Sequence, residues 1–177
     1  MIKTHASSCG PNVRAHAHAS ADGAIAWILD ANERDPSAAE AVNIAETILR
    51  RLDLFGDELG SVVLDLDQQL AAASNLSAAS HFYSMSVSLA RLSGSHICLA
   101  HVGEARGHIL AESGRLRMAS LDHNVYSSIA EEQWRQMGYS SSEARLAITR
   151  VVGEGIAIVE SHHARATATG RIVGVSH

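Results

Sequence analysis

The stretch AHVGEARGHIL, residues 100–110, predicts a strand, a tight acidic turn and a second strand. Just before it, the run MSVSLARL at residues 85–92 has the composition of a strand, and the Ser-Gly-Ser turn at 93–95 leads into a further strand, HICL, at 96–99. Short apolar runs separated by glycine and serine are typical of strands joined by hairpins. This part of the chain therefore predicts consecutive antiparallel strands.

The N-terminal segment predicts a second hairpin. In residues 13–20, alanine and valine alternate with Arg14, His16 and His18, and a period of two indicates a strand. An Ala-Asp-Gly turn at 21–23 then leads into an apolar returning strand at 24–29, because Asp-Gly tolerates the positive φ of a tight turn. Residues 1–12 are predicted to form an irregular arm.

Helical spacing separates these two groups of strands and returns after them. Helices are predicted from Asp35 to Phe55 and from Asp57 to Ala79, because apolar residues recur every three or four positions. The remaining predicted elements are a strand at 116–119, helices at 127–137 and 140–148, and strands at 156–159 and 171–175. The order of strands and helices predicts an α+β layered fold, in one domain over residues 1–177.

Composition excludes several functions. The net charge is −5, Lys3 is the only lysine and aromatic residues make up 4%, so neither nucleic acid nor an anionic membrane is an expected partner. No apolar run approaches the length of a membrane span and the first residues lack the pattern of a secretory signal, so we expect a cytoplasmic protein. Cys9 and Cys98 lie too far apart to indicate a thiolate zinc site or a disulfide framework.

Three motifs together resemble one enzyme family. They are the V-G-E-A-R turn at 102–106, Leu121-Asp122-His123, and I-T-R-V-V-G at 148–153. In this order they resemble the V-G-D-S-R, D-H-S and L-T-R-x-L-G segments of the metal-dependent protein phosphatases of the PPM (type 2C) family. The resemblance implies a β-sandwich flanked by helix pairs, shortened at the C-terminus, and the hydrolysis of phosphoserine and phosphothreonine with two manganese or magnesium ions.

The resemblance also implies site residues. Arg14 falls where the family has a phosphate-binding arginine, and His18 and Ala19 fall where it has an acidic pair. Asp30 falls at the aspartate that bridges both ions, and the Ala31 carbonyl at a further metal ligand. These positions retain few of the carboxylates that hard ions require, so the resemblance implies an incomplete metal centre.

The C-terminal residues add a further departure from the family pattern. Residues 169–177 resemble the family's P-G-D-x-L-L-L-x-S-D-G strand, with His177 where a metal aspartate is expected. One hypothesis is that His16, His18, Asp30 and His177 form an altered, nitrogen-rich site for a transition metal. His16 and His18 lie at i and i+2 and therefore share one face of a strand.

Other polar pairs are interpreted as structural. Glu104 and Arg106 are expected to hold the hairpin through an ion pair or hydrogen bonds. Asp122 and His123 are neighbours in a loop and are not expected to point the same way. His162 and His163 are expected to face opposite sides of a strand.

Three functions remain open from the sequence. The first is a degenerate or regulatory pseudophosphatase that binds a protein partner, including a phosphoprotein held by Arg14 without turnover. The second is a metal-dependent serine/threonine phosphatase with a histidine-containing site, and the third is a small-molecule enzyme on the same scaffold. A sandwich that lacks C-terminal strands exposes a sheet edge, so we also expect a homodimer through that edge.

Overall fold

The computed structural model describes residues 6, 10–21, 23–76, 83–110, 115–118, 120–155, 157–165 and 171–175. His177 and most of the predicted N-terminal arm lie outside these residues. The elements are β1 (Val13–Ala19), β2 (Ala24–Asp30), α1 (Ala38–Leu49), α2 (Leu59–Leu76), β3 (Ser86–Ser93), β4 (His96–Val102), β5 (Arg106–Leu110), β6 (Leu116–Met118), α3 (Val125–Ser128), α4 (Glu131–Gln136), α5 (Ser141–Leu146), β7 (Glu160–Arg165) and β8 (Arg171–Val175).

Two antiparallel sheets carry the fold. The larger sheet has the strand order β1-β2-β3-β4-β7, and the smaller one has the order β6-β5-β8. The first four strands of the larger sheet lie in the order in which they occur in the chain, with α1 and α2 between β2 and β3, whereas β7 returns from far along the chain to pair with β4. The mixed architecture confirms the predicted α+β class.

Both faces of the larger sheet are covered by other layers. Successive residues of a strand point alternately to the two layers. On one face, Trp27, Leu29 and Leu89 join Val42 of α1 and Leu66 of α2 in the main apolar core. We call this the helix face. On the other face, Ala90, Ile97 and Leu99 pack with Ile109 of the smaller sheet. We call this the sandwich face, and the candidate site lies on it.

Asp67 ties α2 to the segment that precedes β7. Its side chain is 1% exposed, and its Oδ1 accepts backbone N–H groups of Gly153 at 2.6 Å, Glu154 at 3.1 Å and Gly155 at 3.1 Å. Its Oδ2 accepts the N–H of Ala157 at 2.9 Å. We call this arrangement the Asp67 anchor. A buried carboxylate is stable only when its oxygens are matched in this way.

One predicted strand is displaced and one predicted helix is divided in the structure, and the helix predicted from Asp35 to Phe55 spans only Ala38–Leu49. A strand is predicted at 156–159, of which residue 156 lies outside the described residues; the structure has the strand at 160–165, and the Ala157 N–H is bonded to Asp67 and not to a neighbouring strand. The helix predicted at 127–137 is divided into α3 and α4, because the backbone is extended at Ile129 and Ala130. Ser140 caps the helix that follows, since its hydroxyl accepts the N–H of Glu143. No helix among the described residues is long and apolar enough to cross a membrane.

Candidate functional site

The first group of predicted site residues lies against α1. The Arg14 guanidinium is 3.2 Å from the Glu46 carboxylate, and it donates to the Asn43 side chain at 3.0 Å. The His16 ring stacks on the core residue Trp27, with 4.1 Å between ring centroids. His18 follows two residues after His16 and is exposed. Arg14 and His16 are therefore on the helix face, and strand alternation assigns His18 to the same face.

Asp30 lies on the opposite face of the same sheet. It pairs in register with Val13 and with Ser86, and it follows Leu29, which belongs to the helix-side core. Alternation therefore directs Asp30 to the sandwich face. The structure does not bring Arg14, His16 and His18 together with Asp30, contrary to the arrangement expected from the sequence.

Ala31 and His177 are the remaining predicted metal ligands. Ala31 is buried, and its N–H donates to the Asn12 carbonyl at 3.0 Å. His177 lies outside the described residues. The metal-binding roles assigned to His16, His18, Asp30, Ala31 and His177 stay predictions.

The structure instead brings together two histidines and a glutamate on the sandwich face. His101 of β4 and Glu160 of β7 are direct partners in the sheet, and His123 approaches them from the loop that precedes α3. The Glu160 Oε2 atom is 3.1 Å from His123 Nε2 and 3.8 Å from His101 Nε2. Among the residues that the structure describes, only these three offer metal-ligand atoms that all lie within 4.8 Å of one another. We call them the histidine–glutamate group.

Hydrogen bonds fix how the two rings are placed. His101 Nε2 lies 2.7 Å from the Leu121 carbonyl, to which a protonated nitrogen would donate. The Gly103 N–H donates to His123 Nδ1 at 3.1 Å, which leaves the proton of the neutral ring on Nε2, facing Glu160. His101 Nδ1 is buried and has no hydrogen-bond partner. The hydrogen bonding of the group is therefore incomplete.

Both rings are held in the neutral form. Burial, followed by the neighbouring His123, lowers the pKa of His101 to about 4. Burial also lowers the pKa of His123, against the opposing effect of its hydrogen bond to Glu160. Since the usual value for histidine is near neutrality, both imidazoles keep a lone pair at neutral pH.

Local structure explains why His123 reaches the group. Arg106 and Asp122 form a two-pronged ion pair that fastens the loop to β5. Gly103 has a φ of +90°, and a Cβ there would lie 2.2 Å from the Ser86 hydroxyl, so the turn needs glycine for both conformation and space. The close turn presents the Gly103 N–H to His123.

The structure resolves the polar pairs singled out in the sequence. The ion-pair partner of Arg106 is Asp122, while the Glu104 N–H donates to the Ser86 hydroxyl at 3.0 Å. Asp122 and His123 contact different partners, as predicted. His162 Nε2 lies 2.9 Å from Glu160 Oε1 and His163 is exposed, which confirms that these neighbours face opposite sides.

Sequence reasoning missed His101 and Glu160. His101 could have been found, because it stands one residue before the V-G-E-A-R turn and alternates with the apolar Cys98 and Ala100 of its strand. Glu160 gave no such signal, because its strand was predicted four residues too early.

The two hard ions that the resemblance implies do not fit these residues. Manganese and magnesium prefer oxygen ligands, and the site requires several carboxylates close together. Asp30 is the one predicted acidic ligand among the described residues, and histidine and alanine occupy the expected acidic pair. The histidine–glutamate group has a different donor set, with two imidazoles and one carboxylate, which suits zinc and similar ions.

Comparisons with known proteins agree with the fold. No family model matches the sequence, and no curated protein matches it. The serine/threonine phosphatase Stp1 from Staphylococcus aureus superimposes with a TM-score of 0.68 at 15% identity, over 87% of this chain and 65% of that one. The chain thus spans about two thirds of the length of that phosphatase.

A mycobacterial phosphatase gives a similar result. The serine/threonine phosphatase PstP/Ppp of Mycobacterium tuberculosis superimposes with a TM-score of 0.65 at 18% identity, over 92% of this chain and 77% of that one. The catalytic domain of PstP in complex with two manganese ions superimposes with a TM-score of 0.63, at 18% identity over 90% of this chain and 75% of that one. Despite its divergent sequence, the chain has the fold of the PPM-type serine/threonine phosphatases.

Proposed function

We propose that this chain is a PPM-phosphatase-like domain with an incomplete phosphatase centre that acts by binding a protein partner. The observation that carries the proposal is the separation of Arg14 from Asp30 by the thickness of the sheet. Arg14 is occupied by Glu46 and Asn43 on the helix face. Phosphoester hydrolysis needs the phosphate-binding group and the metal ligands on one side of the substrate, within contact distance.

Exposed apolar side chains support a binding role. Of the nine large apolar residues found exposed in the described part of the chain, six come from residues 121–148. They are Leu121, Tyr126, Ile129, Met137, Leu146 and Ile148. Contiguous exposed apolar patches are typical of surfaces that contact other proteins, and we propose that these six side chains form one. A phosphoprotein partner and a second copy of the chain are both compatible with this proposal.

A metal-dependent phosphatase with a histidine-containing site is the second candidate. It is favoured by the histidine–glutamate group, which lies on the same face of the sheet as Asp30. This candidate requires turnover that depends on a metal and on Asp30. The third alternative, a small-molecule enzyme, has no separate observation in its favour.

Hydrolysis of p-nitrophenyl phosphate and of a phosphothreonine peptide distinguishes the first two candidates. The assay compares the wild type with Asp30→Asn in the presence of Mn²⁺, Mg²⁺ or Zn²⁺. We expect no metal-stimulated turnover above the Asp30→Asn background. Metal-dependent hydrolysis that Asp30→Asn abolishes would overturn the proposal and establish the phosphatase.

A matched pair of surface variants tests whether the chain binds a protein partner through residues 121–148. Proteins captured by the wild type from a cell extract are compared with those captured by Leu146→Ser and by Leu76→Ser, both of which replace an exposed leucine. A partner lost with Leu146→Ser and retained with Leu76→Ser supports binding through residues 121–148. Equal capture by both variants would contradict this surface.

A further inference from the structure

We propose that His101, His123 and Glu160 form a binding site for a single zinc ion. The proposal goes beyond the partner-binding function and does not depend on it. In a tetrahedral zinc site with bonds of about 2.0–2.1 Å, ligand atoms lie about 3.3 Å apart. The separations of 3.1 Å and 3.8 Å from Glu160 Oε2 to the two Nε2 atoms bracket that value.

The donor chemistry agrees with the distances. Two neutral imidazoles and one carboxylate are a common zinc-binding set that leaves a fourth position for water or another ligand. The two histidines are buried and Glu160 is half-buried, so the ligand atoms are restrained before an ion arrives.

The polar atoms around the group are not fully hydrogen-bonded. Glu160 Oε1 lies 2.9 Å from His162 Nε2, but the two atoms do not form a hydrogen bond. The unpartnered Nδ1 atom of His101 shows that the group is not a finished hydrogen-bond network. The Asp67 anchor, in contrast, leaves neither carboxylate oxygen without a donor.

Zinc binding changes where the two ring protons reside. The ion takes the lone pair of each Nε2, so each neutral ring must carry its single proton on Nδ1, and no net proton is released. In His123, that proton would meet the Gly103 N–H, which now donates to the same atom. The turn at Gly103 must therefore shift when zinc binds, and the Gly103 amide should report the event. In His101, Nε2 would no longer donate to the Leu121 carbonyl 2.7 Å away, so that carbonyl must also move aside.

Titration of the full metal-free chain with Co²⁺ and Zn²⁺ tests the site. Co²⁺ reports tetrahedral coordination through its visible absorption, and calorimetry with Zn²⁺ gives affinity and stoichiometry. We expect one ion per chain, with affinity at least tenfold weaker in Glu160→Gln and in His123→Gln. His163→Gln is the matched control, because this histidine is exposed on the other face of β7, and its affinity should stay within twofold of the wild type.

A second measurement keeps the test decisive if a variant fails to fold. In the wild-type protein, zinc should shift the amide resonance of Gly103 at one equivalent, and Mg²⁺ should not. Absence of saturable binding at one equivalent would overturn the proposal. So would equal affinity in folded Glu160→Gln, or an unmoved Gly103 resonance. Because the readout is binding and not hydrolysis, a negative result here leaves the partner-binding proposal intact.

Discussion

The Asp67 anchor and the histidine–glutamate group are two buried polar arrangements that differ in how completely their atoms are matched. Both oxygens of Asp67 accept backbone N–H groups, four in all, from residues 153–157. In the histidine–glutamate group, His101 Nδ1 is buried without a partner, and Glu160 is shared by neighbouring rings. The hydrogen bonding of the anchor is complete within the chain, whereas that of the histidine–glutamate group is not.

Whether buried polar atoms all have hydrogen-bond partners distinguishes a group that stabilises the fold from one that can bind a ligand. A buried charge whose lone pairs are all matched contributes to stability and leaves little capacity for a ligand. A buried ring nitrogen without a partner gives no such stability, and the protons of these rings can be rearranged when a ligand binds. Substitutions should therefore destabilise the fold most at the anchor and alter binding most at the group.

Asp67→Ala should give the largest loss of stability. It removes the acceptor of four backbone N–H groups, one of them buried and three partly buried. An unsatisfied buried donor costs about 1–3 kcal/mol, so we expect a total loss of about 4 kcal/mol. Asp65→Ala on the exposed side of the same helix should change the free energy of unfolding by less than about 0.5 kcal/mol. Urea denaturation measures both. A loss below about 1 kcal/mol in Asp67→Ala would show that the anchor is not essential.

Gly153→Ala should disrupt the Asp67 anchor at one of its backbone donors, the N–H of residue 153. Gly153 has a φ of +107°, and a Cβ there would lie 1.7 Å from the Tyr83 carbonyl oxygen. We expect a loss of about 3 kcal/mol from conformational strain together with this clash. Gly138→Ala is the control for strain alone, because φ is +87° and the surrounding space is open. Thermal unfolding that lowers both midpoints equally would contradict a clash at Gly153.

Mild acid should weaken the fold through the histidine–glutamate group. The pKa of His101 falls from 6.5 to about 4 on folding, so the unfolded chain binds a proton that the folded chain excludes. Stability is therefore complete above pH 6.5 and is lost as pH decreases toward 4, by about 1–2 kcal/mol between pH 6.5 and 5. The charged and titratable groups that act on this ring are His123, Glu160, His162 and Asp122.

The measurement for this prediction is urea denaturation of chelator-treated protein at several pH values. His101→Gln should reduce the dependence on pH, whereas His163→Gln should retain it. A wild-type free energy of unfolding that is constant from pH 6.5 to 5 would show that His101 is not held neutral by burial.

Much of the fold could be predicted because its strands follow one another along the chain. The alternation in residues 13–20 and the apolar run at 24–29 predict both strands of the first hairpin, and the series from β3 to β5 follows from short apolar runs and glycine turns. The strand after Ala157 was misplaced, because the deciding interaction comes from Asp67, which is distant in sequence.

The site was harder to predict than the fold. The resemblance directed attention to β1, where Arg14 and His16 in fact contact α1 and the helix face. A sequence pattern shows which residues of a strand share a face. It does not show whether the helices or the second sheet cover that face. His101 and Glu160 meet only because β7 pairs with β4 in one register.

The separation of Asp67 from its donors along the chain has a consequence for biosynthesis. The partners of Asp67 lie 86 to 90 residues further on, so α2 leaves the ribosome long before they are made. Until then, burying α2 against the sheet would leave the Asp67 carboxylate buried without hydrogen-bond donors. The nascent chain should therefore keep α2 loosely docked and accessible to proteases or chaperones, and close it only after residues 153–157 emerge.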